Sequence, residues 1–231
     1  MLNGIYKILL KVELKSYEYF KSGKSIPIYF YPFFLIKGFF NIIESILRNL
    51  SGPFGLLIRR FYYNLVFERM GADVLIDIGV IFSAPQNVNC GNRVWFDAYC
   101  MINTPVDKIN IGNQVHIGPY SYLGGKKKIN LKNFTAVTAG SRVFSGSTNI
   151  PLKKNLILNP MIIKKKYEKF GLNDGEVTFE ENAVVLANCT VAPGTVLGKG
   201  SILLPNSFLN KSTEPYSVNI GVPAKKIAVR V

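Results

Sequence analysis

Between Phe179 and Leu209 an apolar residue returns at every sixth position: Phe179, Val185, Val191, Leu197, Leu203 and Leu209. A period of six is neither the 3.6 of a helix nor the two of an open strand. It suits a solenoid in which each short strand is one side of a triangular coil. One side chain per side then points inward, and stacked coils bury a continuous column. Three shorter runs keep the period upstream: Val88, Val94 and Cys100; Ile111, Ile117, Leu123 and Ile129; Leu131, Val137 and Val143. Gly91, Asn92, Gly112, Asn113, Gly198 and Gly200 fall between these positions, where corners call for left-handed or tight backbone. The spacing predicts a mainly β chain over residues 71–231, preceded by a hydrophobic, basic and largely helical segment over 1–70.

That first segment holds the most apolar stretch, IPIYFYPFFLIKGFFNIIESILRNL from Ile26 to Leu50. A membrane span needs about 20 uninterrupted apolar residues, and here Pro27 and Pro32 disturb the first half while Lys37, Asn41, Glu44 and Arg48 interrupt the second. From Phe39 the apolar residues recur at helical spacing, which reads as an amphipathic helix. Such a helix either packs across the open end of the coils or lies in a membrane interface, helped by Lys37, Arg48, Arg59 and Arg60. The stretch from Phe61 to Arg69 reads as another helix or an extended connection. The early residues Ile5, Ile8, Leu9 and Leu10 are broken by Lys7 and Lys11 and do not read as a signal peptide. From Asn149 to Glu176 the six-residue period lapses and six lysines accumulate, as in a loop that leaves the coil.

Hydrophobic residues make up 48% of the chain and charged ones 18%, so it is not a disordered tail. The formal charge of +14 favours anionic partners: nucleic acid, anionic lipid or a phosphate-rich cofactor. The charge is not interleaved with aromatics as a stacking platform, and no helix-turn-helix or zinc-finger spacing appears, which argues against nucleic acid. Cys90, Cys100 and Cys189 form an odd set without a CxxC pair, which fits a reducing compartment better than a disulfide framework.

Three stretches carry a resemblance: GPFGLLIRRFYYNLVFERMGADVLIDIGVIF, then VHIGPYSYLGG followed by VTAGSRVFSGSTN, and finally SVNIGVPAKKI. Over about residues 52–231 the chain resembles the hexapeptide-repeat acyltransferases, particularly those that modify bacterial lipopolysaccharide and capsule. The resemblance implies a left-handed parallel β-helix assembled as a homotrimer, with acetyl-CoA as acyl donor and the acceptor meeting it between neighbouring solenoids. It implies O-acetylation of a lipid-linked or nucleotide-linked sugar on the route to a surface polysaccharide, in the cytoplasm or at the inner face of the membrane. N-acetylation of an amino sugar and a non-catalytic scaffold are the alternatives.

A sugar hydroxyl is a poor nucleophile, and a base that removes its proton during attack contributes roughly 100- to 10,000-fold. The resemblance implies a histidine in that role, and the chain has one, His116. Because Ile117 belongs to an inward column, His116 is expected to point outward. Many relatives place their histidine in a Ser-His-Asp step, whose counterpart here is Ser147, Thr148 and Asn149, candidates for holding the acceptor. For the phosphates of CoA the candidates are Lys211, Lys225 and Lys226, with Gly221, Pro223 and Ala224 allowing close backbone approach. A zinc site of the kind found in some solenoid enzymes needs three imidazoles, so no metal is expected.

Overall fold

The computed structural model describes residues 2–146 and 174–230, and the backbone alone of 150–151 and 169–170. From Arg69 onward the chain winds into a left-handed parallel β-helix whose short strands stack into three sheets. Every apolar residue of the four runs with period six is buried. The columns follow from strand register. Ile76, Phe96, Ile117, Val137, Val185 and Leu203 lie one above another in the second sheet. Leu123, Val143, Val191 and Leu209 do the same in the third. Each such side chain stabilises the fold by about 1.5–3 kcal/mol through burial.

The corners differ in detail from the expectation. Gly200 does adopt positive φ, 65°, but elsewhere the left-handed residue is Arg93 or Gln114, just after the Gly-Asn pairs. What Gly91 and Gly112 supply is room. A Cβ on Gly91 would stand 2.5 Å from Asn113 Oδ1 and 2.9 Å from the Gly112 backbone. The asparagines stitch the same corner: Asn92, Asn113 and Asn133 each accept, through Oδ1, a backbone N–H from the coil below. Gly91→Ala is therefore expected to cost about 1–3 kcal/mol, since backbone must shift to admit the methyl. A urea titration checks this, and an unchanged midpoint would show that the coil spacing is not set there.

Three helices close the first coil: α1 (Leu2–Lys21), α2 (Tyr31–Asn49) and α3 (Gly52–Val66). Pro32 does not disturb α2 but lies in its first turn, where a missing N–H costs nothing. Phe40, Ile43 and Leu47 of α2 pack on the same core that takes in Tyr62, Tyr63 and Val66 of α3. Two polar ties fix this cap. Glu44 is buried and accepts from the hydroxyls of Tyr6 and Tyr62, at 2.5 and 3.4 Å. Burial pushes its carboxyl above the ordinary value, and the Tyr6 hydrogen bond opposes that shift. Arg59, 1% exposed, donates from Nε to Ile76 O at 2.8 Å and from Nη1 to Leu47 O and Leu50 O at 3.1 and 2.5 Å.

The chain leaves the coils after Arg142–Phe144 and re-enters at Val177–Phe179, which pairs in register with Ile129–Leu131. The ends of the excursion meet as an antiparallel pair, Ile150–Pro151 with Lys169–Phe170. The three candidate residues Ser147, Thr148 and Asn149 lie outside the described residues.

Candidate active site

His116 opens the strand His116–Ile117 of the second sheet. Ile117 is fully buried, so the alternation of the strand turns His116 outward, where 37% of its side chain is exposed. In the coil below, Trp95 is its register partner, and the two rings stack at 4.6 Å with 25° between their planes. Two residues on, Asp97 reaches back, with Oδ2 3.2 Å from His116 Nε2. Its other oxygen accepts the Ala98 N–H at 2.7 Å, which fixes the carboxylate in place. A carboxylate only accepts, so in the neutral ring this contact favours the tautomer with its proton on Nε2 and its lone pair on Nδ1. The arrangement is an imidazole oriented by a carboxylate and held flat by an indole.

Around it the surface is aromatic and apolar. At the corner beyond His116, Tyr99 and Tyr120 stack at 5.4 Å, nearly parallel, and both stay well exposed. Tyr99 lies over Gly79, where a Cβ would run into its ring. Moving up the sheet, the outward positions in register with His116 are Ala136, Val184, Ile202 and Val218. This apolar track ends at a hairpin of Ser217–Gly221 against Ala224–Val229.

The hairpin carries Gly221, Pro223, Ala224, Lys225 and Lys226. Its first strand lies four strand spacings from His116 in the sheet order, about 19 Å at the usual separation. The structure thus brings the lysine hairpin and the histidine onto one sheet, at opposite ends of the track. Lys226 is ion-paired with Glu214, whereas Lys225 and Lys211 are exposed and without an acidic partner among the described residues.

A separate concavity lies elsewhere, a groove of about 1060 Å³ along the first sheet. Its polar floor is self-satisfied. Asn110 donates to Asn130 at 2.9 Å, and Asn89 donates to Asn110 and to Glu68 at 3.1 and 3.0 Å. Those groups are already partnered, and no histidine stands among them, so the His116 surface is the better candidate. Among the described residues no three His, Cys, Asp or Glu side chains group as metal ligands. The cysteines are free and buried, and burial raises the Cys90 thiol to about 12.

No family model matches the sequence. A curated relative does: a dTDP-4-amino-4,6-dideoxy-D-glucose acyltransferase from Escherichia coli, 27% identical over 164 residues, which span 71% of this chain and 83% of that protein. In sequence and in fold the chain is similar to hexapeptide-repeat acyltransferases. Solved structures of that family share the fold. A substituted form of AntD, an N-acyltransferase from Bacillus cereus in complex with dTDP-4-amino-4,6-dideoxyglucose and coenzyme A, superimposes with a TM-score of 0.62 at 25% identity. The match covers 75% of this chain and 89% of AntD. A hexapeptide-repeat acetyltransferase from Vibrio cholerae, complexed with acetyl coenzyme A, gives 0.53 at 15% identity, over 80% and 84% of the two chains.

Asp97 and Trp95 are the members of this candidate site that sequence reasoning missed. Both sit one coil before His116, since Trp95 is its register partner. Counting back one coil from the histidine is the signal that would have found them.

Proposed function

We propose that the chain transfers an acetyl group from acetyl-CoA to a nucleotide-linked sugar, with His116 as general base. The observation that carries the reading is the outward His116–Asp97 pair at the foot of an apolar track that leads to a lysine hairpin. The pantetheine arm of CoA suits that track, and its phosphates suit Lys225 and Lys211 as point charges. The E. coli relative and AntD handle a dTDP-linked amino sugar, which favours an amine as the acceptor. The exposed rings of Trp95, Tyr99 and Tyr120 offer stacking faces for a nucleobase or sugar.

In the step we envisage, His116 Nδ1 takes a proton from the acceptor nitrogen as it attacks the thioester carbonyl. The tetrahedral intermediate collapses, the C–S bond breaks, and the CoA thiolate leaves with the proton from the imidazolium. Asp97 stabilises that imidazolium while it exists. A sugar hydroxyl is the second reading, and Asp97 favours it, because a less nucleophilic acceptor depends more on an oriented base. The outward row Leu75, Trp95, His116, Ala136, Val184, Ile202 and Val218 is nearly all apolar. A surface of this kind suits burial against further copies, and we place the site in a homotrimer acting in surface-polysaccharide synthesis.

Calorimetry with acetyl-CoA, and with ATP as a polyanion control, tests the donor. Saturable binding tighter than that of ATP is expected, and Lys225→Glu should weaken it about tenfold. Equal, salt-sensitive binding of both ligands would remove the donor assignment. Thiol release is then followed with dTDP-4-amino-4,6-dideoxyglucose and with dTDP-glucose. Release with the first alone supports nitrogen, release with the second alone supports oxygen, and release with neither rejects this class of acceptor.

A further inference from the structure

We infer that the outer faces of α2 and α3 seat the enzyme on an anionic lipid bilayer, with α2 lying in the plane of the interface and not crossing it. This goes beyond the acyl-transfer reading and does not depend on it. On α2, Leu35, Phe39, Ile42 and Ile46 recur every three or four residues and are 77%, 63%, 62% and 58% exposed. They lie about 100° around the helix from the stripe of Phe40, Ile43 and Leu47 that packs on the core, and farther round from the buried Glu44. On α3, which packs against α2, Phe54, Leu57, Phe61 and Leu65 form a second exposed stripe. A surface helix of a soluble protein keeps its outer face polar. Here the solenoid already satisfies the inner face, and the outer face is apolar again.

The charge around this surface selects the partner. Lys11 and Lys15 on α1, which packs along α2, and Lys24 just after it are exposed, with no acidic partner among the described residues. Apolar side chains entering the acyl boundary beside unneutralised lysines are what binding to an anionic leaflet requires, and the cytoplasmic leaflet carries that charge.

Length and hydropathy alone would let Ile28–Asn49 cross a membrane. Its inner face excludes that. Lys37 pairs with Glu13 of α1, Glu44 is held by Tyr6 and Tyr62, and Arg48 O accepts the Gly79 N–H at 3.0 Å. Crossing would strip these groups from their partners and put them in hydrocarbon, where each is costly.

Flotation of the full chain with vesicles decides the matter. Recovery with vesicles containing phosphatidylglycerol, much above that with phosphatidylcholine alone and reduced by salt, is the expected result. The double variant Phe39→Glu with Phe61→Glu should lower the bound fraction at least about tenfold while acetyl-CoA binding is unchanged. A triple variant, Lys11→Glu, Lys15→Glu and Lys24→Glu, leaves every apolar contact in place and should abolish the preference for phosphatidylglycerol. Wild-type protein that stays in solution, or a double variant that floats as well as wild type, overturns the proposal. So does a double variant that sediments as a smaller assembly, since the surface would then join copies of the chain. Resistance of the bound protein to alkaline carbonate would show a span and also overturn it.

Discussion

Replacing His116 with alanine is expected to lower turnover at least about 100-fold while acetyl-CoA affinity and the thermal midpoint stay where they are. The expectation rests on position. The ring faces outward from a strand whose buried partner, Ile117, carries the packing, so truncation removes a base and little of the core. Steady-state rates with either nucleotide sugar, beside calorimetry of the donor, separate the two effects. Equal rates would remove His116 from the chemistry. Asp97 touches the imidazole through Oδ2, and Asp97→Asn tests whether it acts through that ring. The amide no longer forces the proton onto Nε2, so a fall in kcat of roughly tenfold or more is expected with KM little changed. Imidazole ¹⁵N shifts should show the proton redistributed between the two nitrogens. An Asp97→Asn enzyme with wild-type shifts and a lower rate would mean that the carboxylate does something else.

Arg59→Ala should be the most damaging single change in the cap, at about 3–5 kcal/mol, a large share of what a domain has in total. The guanidinium fork donates to carbonyls on both sides of a junction, Leu47 and Leu50 at the end of α2 and Ile76 in the first coil. Truncation leaves those oxygens buried without donors and opens a cavity. Lysine should recover only part of the loss, because one ammonium on a flexible stem cannot replace a planar fork of fixed spacing. Urea unfolding measures both variants. A loss under about 1 kcal/mol for alanine would show that apolar packing alone holds the helices to the solenoid.

The inward columns were legible because a buried position that repeats every six residues must be apolar at each step. The phase from Phe179 to Leu209 therefore carries directly into Val185 over Leu203 and Val191 over Leu209. His116 was legible as the one imidazole, and its outward direction followed from Ile117. Asp97 was not, because an aspartate just before a corner looks like any turn residue until the coil beneath the histidine is counted. Gly200 has the left-handed backbone expected of it, whereas Gly91 and Gly112 are corner residues for a different reason. Composition marks Gly91 as a corner residue, but only stacking shows that it answers to Asn113 in the next coil and not to its own φ. Likewise Pro32 reads as a helix breaker until the helix is seen to begin there. The two-sided apolar character of α2 was visible as hydrophobicity, but which side the coils would cover depended on Tyr6 and Tyr62, residues far away in sequence.

The two ends of the solenoid are closed by unlike devices: three helices over the first coil, and at the other end a hairpin that turns back antiparallel on the second sheet. A stack of parallel coils with bare ends would present the same row of unpaired amides and carbonyls above and below, and copies would add to it end to end. Here the second sheet ends on an antiparallel hairpin and the first coil on helices, so the top of one copy does not match the bottom of another. Parallel stacking of copies along the coil axis is thus disfavoured, because the antiparallel strand of the hairpin breaks the parallel register. A repeat architecture that could propagate along its axis thus carries a different device at each end.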